Sequence, residues 1–321
     1  MGTWVEQVHG RAGVLLDQML AWQSAQTQAQ VDISSAIAQL RKMIEDLYAE
    51  EMPLARILDS SDLVMHAEGP STATAAPGLH AFNWLCTAAE KQIRILAKSI
   101  FDLSDIDSKL FAKKLDLRFS GFAPGSIYAG FSLSPISSIL GSDEPELVFE
   151  TLRMAIRQLP TIPEFIDDEK VSVGISELMP DPALRDASLE AVFRLSPTGR
   201  AGIHTIDISS PDARKNALTN RDRVVLREAL LKPMTKTKRF GRFVGEIRAI
   251  DLDSSRVLLR SVDSIGSLRC VIPETSGESA KSLLGSSVCI EGEYEVDASG
   301  RPRLMFAQNI WPAEKMIQQS L

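Results

Sequence analysis

The sequence predicts a multidomain α+β protein with three parts: an N-terminal helical hairpin or coiled coil, a central α+β unit, and a small C-terminal five-stranded β-barrel. Three observations lead to this prediction. Apolar residues recur every three or four positions near the start, helices and strands mix without regular βαβ alternation in the middle, and the chain ends in three strands, one helix and two strands. The predicted ranges are 1–67 for the helical assembly region, 68–78 for a flexible linker, 79–232 for the α+β domain and 233–321 for the barrel domain.

The N-terminal helices are predicted from the spacing of apolar residues. The residues that form this stripe are Val8, Ala12, Leu15, Met19, Trp22, Ile33, Ile37, Leu40, Ile44 and Leu47. The segment 23–30 between its two halves is rich in Gln and Ala, which favours two helices that fold back over one long helix. The stripe either packs on the rest of the same chain or forms an intermolecular coiled coil, and both interpretations stay open here.

The middle of the chain follows a segment of small residues. Residues 68–78 read EGPSTATAAPG, a composition typical of a flexible connection. After it we predict a helix over 79–103 and a β-hairpin around Ala123-Pro124-Gly125. The remaining predicted elements are helices at 146–159, 181–195 and 220–231 and a strand at 202–209. The order of these elements does not specify a topology.

The barrel is predicted from residues 239–312. Its strands are expected at 243–251, 256–262, 267–273, 287–296 and 303–311, with a short helix at 278–284. This order resembles that of the OB fold, although an SH3-like barrel would produce a similar pattern. The resemblance implies an oligonucleotide, an oligosaccharide or another protein as the ligand, without choosing among them.

Composition excludes several classes of protein. The 35 basic and 42 acidic residues give a net charge of -7, which disfavours a general nucleic-acid or membrane coat. The three cysteines are far apart and lack zinc-binding spacing, so neither a disulfide framework nor a structural zinc is indicated. The sequence has no signal-peptide pattern and no apolar run of membrane-spanning length. We therefore expect a cytoplasmic protein without a membrane span.

Catalytic and metal-binding motifs were sought without success. None of the four histidines has metal-ligand spacing, no serine lies in a GxSxG elbow, and the glycine-rich segment 121–130 lacks the lysine of a P-loop. We therefore predict no catalytic residue, no metal ligand and no cofactor. The alternative is an enzyme whose unrecognised site gathers His204, Asp207 or the acids at 167–169.

Positive charge is concentrated directly before the first barrel strand. From Lys232 to Arg242 the chain carries five basic residues and no acid, with Phe240 interleaved, a pattern suited to contacts with a phosphate backbone and with stacked bases. The candidate nucleic-acid-binding residues are Lys236, Lys238, Arg239, Arg242, Phe243, Arg256, Arg260 and Arg269. A second basic stripe, Lys91, Arg94 and Lys98, is typical of a solvated helix face.

These observations predict a non-enzymatic binding or assembly protein, a subunit or regulator of a larger cytoplasmic bacterial complex. A protein partner, or self-association through the N-terminal helices, is expected, and the barrel is expected to serve recognition. The alternative is a protein that binds DNA or RNA through the basic segment and the barrel face, in a toxin-antitoxin or antiviral system.

Overall fold

The computed structural model describes residues 3–29, 32–72, 77–103, 115–123, 127–134, 143–231, 239–251, 255–273 and 277–313. The N-terminal region contains three helices, α1 (Trp4–Ala29), α2 (Ser34–Asp46) and α3 (Met52–Ser60), and a π-helical turn, Leu47–Glu51, joins α2 to α3. The predicted linker lies partly outside the described residues. The turn at 124–126 and the basic residues Lys236 and Lys238 lie wholly outside them.

Helix α1 runs antiparallel to α2 and α3. The carboxylate of Asp59, near the end of α3, accepts hydrogen bonds from the backbone N–H groups of Trp4 and Val5, both at 2.9 Å, and so caps the start of α1. At the other end, Gln26 donates to the hydroxyl of Ser34 over 3.1 Å. The fold-back arrangement expected from the sequence is therefore formed within one chain, and an intermolecular coiled coil stays a prediction.

The central unit is built on a five-stranded antiparallel sheet with the order β2-β3-β1-β4-β5. Its strands are β1 (Leu63–Glu68), β2 (Asp116–Ala123), β3 (Ile127–Ser134), β4 (Thr205–Ser210) and β5 (Ala213–Thr219). Strand β1 lies in the middle of this sheet, although it falls in the range 1–67 that the sequence assigned to the helical region. The helical region and the sheet are thus joined through a shared strand.

Helices cover one face of the sheet with apolar side chains. They are α4 (Leu79–Leu103), α5 (Asp143–Gln158), α6 (Ile175–Leu178), α7 (Pro182–Leu195) and α8 (Asn220–Leu231), together with the 3-10 segment Leu159–Phe165. Leu85, Ile93 and Leu195 pack in the core against sheet residues such as Met65 and Ile206. The opposite face is covered in part by α3, which packs Ile57 near Val64 and Tyr128.

The C-terminal part is a closed five-stranded barrel, as the sequence predicts. Its elements are β6 (Arg239–Asp251), β7 (Arg256–Val262), β8 (Gly266–Val271), α9 (Gly277–Ser282), β9 (Ser287–Val296) and β10 (Pro302–Pro312). The order around the barrel is β10-β8-β7-β6-β9; β10 pairs with β8 in parallel and every other pairing is antiparallel. Ile247, Leu259 and Met305 are among the fully buried side chains inside it.

Helix α7 joins the central unit to the barrel through buried charges. Asp186 accepts from Arg256 at 3.0 Å and pairs with Arg269 at 2.8 Å, and Glu190 pairs with Arg269 at 2.7 Å. Arg185 pairs with Glu295 of β9 at 2.6 Å. We call this set the α7–barrel ion cluster; its members are Arg185, Asp186, Glu190, Arg256, Arg269 and Glu295, and all six are buried.

The ion cluster shifts the ionisation of its members. Burial by itself would raise the pKa of Asp186, but the neighbouring guanidinium groups of Arg256 and Arg269 outweigh this effect and lower the pKa below its ordinary value of 3.8. Burial acts in the opposite sense on Arg256, where Asp186 and Glu190 outweigh it and raise the pKa. Both residues therefore stay charged, and the charged form of each is stabilised by the opposite charges around it.

Replacing Asp186 tests this interdependence. The change Asp186→Ala leaves two buried guanidinium groups short of a counter-charge, so we expect the free energy of unfolding to fall by about 3–5 kcal/mol in urea denaturation. Asp168→Ala is the control, because Asp168 is 84% exposed and pairs with Arg221 at the surface, where ion pairs contribute about 0–1 kcal/mol. Equal losses for the two variants would contradict the role given to the cluster.

The pH dependence of the unfolding free energy gives a second test, in which the original chain is compared with Asp186→Ala. Because the pKa of Asp186 is lower in the folded state, its stabilising contribution is complete above the ordinary value of 3.8 and is lost as the pH falls through the folded pKa. The unfolding free energy of the original chain should therefore fall more steeply below about pH 4 than that of Asp186→Ala. Parallel pH profiles would rule this out.

Candidate functional site

The nucleic-acid-binding residues predicted from the sequence separate into two groups in the structure. Arg256 and Arg269 are buried in the α7–barrel ion cluster, so α7 covers the side of β7 and β8 from which they project. Arg260 is half-buried on β7, opposite Glu246 and Ser267 in the strand register. The β7–β8 surface around Arg256 and Arg269 is therefore occupied by the protein itself.

The second group lies on β6. Arg239 and Arg242 are both exposed, and the guanidinium of Arg242 pairs with Glu291 at 2.9 Å and lies 5.6 Å from the ring centre of Trp311. The hydrogen bond to Glu291 raises the pKa of Arg242. We call the surface around Arg242 the β6 outer face; its residues are Phe240, Arg242, Val244 and Trp311. Arg239 is an odd number of positions from Phe240 and Arg242, so it projects to the other side of the strand.

The two phenylalanines of β6 differ in exposure. Phe243, one of the residues predicted to contact nucleic acid, is half-buried against the barrel core, with its ring edge-to-face with Tyr294 at 5.1 Å. Its neighbour Phe240 is 59% exposed. Alternation along a strand explains the difference, because residues an odd number of positions apart point to opposite sides. Phe240 and Trp311 are therefore the aromatic residues of this surface.

A groove lies between α1 and α2. It has a volume of about 850 Å³, and Val14, Leu15, Met43 and Leu47 supply its apolar lining. Val14 is 67% and Met43 51% exposed. Charged residues, including Arg11 and Glu50, rim the apolar floor. We call it the α1–α2 groove.

A polar cluster lies on the face of the sheet opposite the core. The Nδ1 atom of His66 is 2.8 Å from Oδ2 of Asp207, and the same oxygen accepts from Nζ of Lys215 at 2.6 Å. The imidazole of His66 stacks on the ring of Tyr128 at 3.8 Å, and Glu68 Oε1 lies 3.6 Å from Nδ1. His66 and Asp207 are buried, whereas Glu68 and Lys215 are more than half exposed.

Lys215 and Asp207 form an ion pair within this cluster. The hydrogen bond to Asp207 raises the pKa of Lys215, so the ammonium stays charged beside the carboxylate. One ligand atom from each of His66, Glu68 and Asp207 lies within 4.8 Å of the others, a set that could coordinate a metal ion if Lys215 moved away. The sequence carries no spacing signal for this set, because strands β1 and β4 place residues 141 positions apart in contact.

The residues named for an unrecognised catalytic site have different partners. His204 is exposed and donates its backbone N–H to the carbonyl oxygen of Glu68 at 2.8 Å, and Asp168 pairs with Arg221 at 2.9 Å near the surface, whereas Asp207 belongs to the polar cluster of β1 and β4.

Comparison with known proteins assigns no family to the chain. No protein-family model matches it, and no curated protein matches it. In the part of the chain that the structure describes, no helix combines the length and the apolar character needed to cross a membrane.

Asp207 should contribute more to the stability of the folded chain than the other charged member of its ion pair, Lys215. Asp207→Asn removes the charged acceptor shared by His66 and Lys215, and we expect a loss of about 1–3 kcal/mol in the free energy of unfolding. Lys215→Met is the matched comparison and should cost less, about 0–1 kcal/mol, since the side chain it removes is more than half exposed and the Asp207 carboxylate keeps its hydrogen bond with His66. Urea denaturation measures both, and a larger loss for Lys215→Met would contradict this ranking.

Proposed function

We propose that the chain is a non-enzymatic binding and assembly protein, a subunit or regulator of a larger complex. The observation that carries the proposal is the α1–α2 groove. Val14 and Met43, two large apolar residues of its lining, stay 67% and 51% exposed. Exposed apolar surface with a polar rim is typical of protein interaction sites.

The shape of the helical region supports the same function. Helix α1 has 26 residues and is therefore about 39 Å long, while the cluster that fixes it is small and centred on Val8, Ala12, Leu47 and Met52. The side of α1 that carries Val14 is not part of that cluster. A helix from a protein partner or from a second copy of the chain would bury this side through the helix-in-groove mode.

The barrel fits this proposal as an internal scaffold. Its three antiparallel strands β6, β7 and β8, closed by the parallel pair β8–β10, support an assignment to the OB type. In that fold the second and third strands usually form the ligand surface. Here the corresponding strands β7 and β8 hold α7 through Arg256 and Arg269. Recognition of outside partners is therefore assigned to the helical region rather than to this surface.

Charge placed in the groove should weaken assembly. Val14→Glu and Met43→Glu each put an unpaired carboxylate where a partner helix would bury it, so we expect the dissociation constant to rise at least about tenfold. Analytical ultracentrifugation of the purified chain measures self-association, and titration with a partner recovered by co-purification measures binding to another protein.

The matched control is Leu16→Glu, which adds the same charge at an exposed apolar position on the opposite side of α1 that does not line the groove. It should leave association unchanged. Equal weakening by Leu16→Glu, or association that Val14→Glu and Met43→Glu leave intact, would overturn the assignment of the groove.

The β6 outer face favours a second candidate function, binding of single-stranded nucleic acid. It carries the exposed Phe240 and Arg242, with Arg242 beside Trp311, and a basic segment precedes β6 in the sequence. Cations that contact phosphates and aromatic rings that stack on bases are the features such a surface needs. The competing observation is the ion pair between Arg242 and Glu291, which already neutralises one of the cations.

Salt dependence tests this second function. Fluorescence anisotropy with single-stranded DNA and RNA should show binding that weakens steeply between about 50 and 200 mM salt, and the double variant Phe240→Ser with Arg242→Gln should weaken it at least about tenfold. Arg248→Gln is the control, because Arg248 is on the same strand, is 57% exposed and pairs with Glu246. Absent or salt-independent binding would exclude nucleic acid at this face.

A further inference from the structure

We propose that the polar cluster of β1 and β4 binds a divalent transition metal ion of the zinc type through His66, Glu68 and Asp207. One ligand atom from each of these residues lies within 4.8 Å of the other two. A nitrogen and two carboxylate oxygens form a mixed set that first-row transition metals accept, whereas Mg²⁺ prefers oxygen ligands alone. The cluster shares no residue with the α1–α2 groove or the β6 outer face, so metal binding here does not depend on either proposed function.

The strand register places the three side chains on one face of the sheet. His66 and Glu68 are two positions apart on β1 and therefore project to the same side, and Asp207 of β4 is the direct cross-strand neighbour of His66. Strand β1 is hydrogen-bonded along both of its edges, so the backbone that carries two of the three ligands is firmly positioned. A set held in this way needs little rearrangement to receive an ion.

The distances between the ligand atoms suit a single ion. Nδ1 of His66 is 2.8 Å from Oδ2 of Asp207 and 3.6 Å from Oε1 of Glu68. Ligand atoms that each lie about 2.0–2.2 Å from a zinc ion are about 3.0–3.6 Å from one another. The observed separations lie at or near this range, so small side-chain rotations complete the geometry. In the bound form Nδ1 carries no proton, and bonds from both groups to the ion replace the hydrogen bond between His66 and Asp207.

The imidazole of His66 is oriented before an ion binds. Its ring stacks on that of Tyr128 with 3.8 Å between the centres and 6° between the planes. The side chains of His66 and Asp207 are buried, whereas that of Glu68 is 55% exposed. Two ligands therefore come from the interior of the fold and the third from its solvent edge, which leaves a path by which the ion and its water ligands can enter.

Lys215 competes for the same position. Its Nζ atom lies 2.6 Å from Oδ2 of Asp207, the oxygen that would bind the ion, which shows that a cation is stabilised there. The lysine comes from the last strand of the sheet, β5, and its side chain is 56% exposed, so the ammonium can move into solvent at the small cost of an exposed ion pair. A divalent ion then neutralises the carboxylates of both Asp207 and Glu68.

Isothermal titration calorimetry of the full chain with zinc chloride, in a buffer without chelators, tests the proposal. We expect one zinc ion to bind per chain, and millimolar Mg²⁺ should not displace it because Mg²⁺ does not favour imidazole. Glu68→Gln removes one ligand at an exposed position, where the fold should not be disturbed, and should weaken zinc binding at least about tenfold. His66→Gln should weaken zinc binding as well.

Lys215→Met distinguishes this site from nonspecific binding to surface carboxylates, because the expected change has the opposite sign. Loss of the competing ammonium should tighten zinc binding about twofold to fivefold. His9→Gln is the control, because His9 is exposed on α1 and hydrogen-bonds Tyr48 outside the cluster, and it should leave the affinity unchanged. The proposal is overturned if zinc does not bind, if Glu68→Gln or His66→Gln binds it as tightly as the original chain, if Mg²⁺ displaces it, if Lys215→Met fails to tighten binding, or if His9→Gln weakens binding as much as His66→Gln.

Discussion

The buried ion pairs between α7 and the barrel are the interaction on which the arrangement of this protein depends. Removing six charged groups from water costs several kcal/mol per ion, and only close, hydrogen-bonded partners offset that cost. Asp186 and Glu190 meet Arg256 and Arg269 at 2.7 to 3.0 Å in the closest pairs, so few relative positions of helix and barrel satisfy all of them. The cluster therefore specifies orientation more than it adds stability.

Helix α7 also connects features that are distant in sequence. One side of it holds β7 and β8 of the barrel, and Arg194, in its last turn, pairs with Glu190 of the same helix and with Asp251 at the end of β6. The helix therefore contacts β6, β7 and β8 of the barrel through charged side chains.

The two faces of the central sheet have different roles. One face buries the apolar residues of the main core, and the other carries His66, Asp207 and Lys215 beside the packed helix α3. Because β1 is the middle strand, the helical region that precedes it is held to the sheet by hydrogen bonds on both edges of that strand. A partner bound in the α1–α2 groove would therefore be positioned relative to the whole central unit.

The sequence by itself determined the longer helices and the barrel, because apolar periodicity and turn residues are local signals that survive without tertiary contacts, whereas the short helix α6 and the break between α2 and α3 were not predicted. It missed β1, whose short apolar run lacks a distinguishing period, and β5, a polar edge strand. It placed Arg256 and Arg269 at an open ligand surface, since nothing near them in sequence shows that Asp186 and Glu190 lie against them. Only the tertiary structure decided which charges are buried, because desolvation and pairing depend on residues some 70 positions apart.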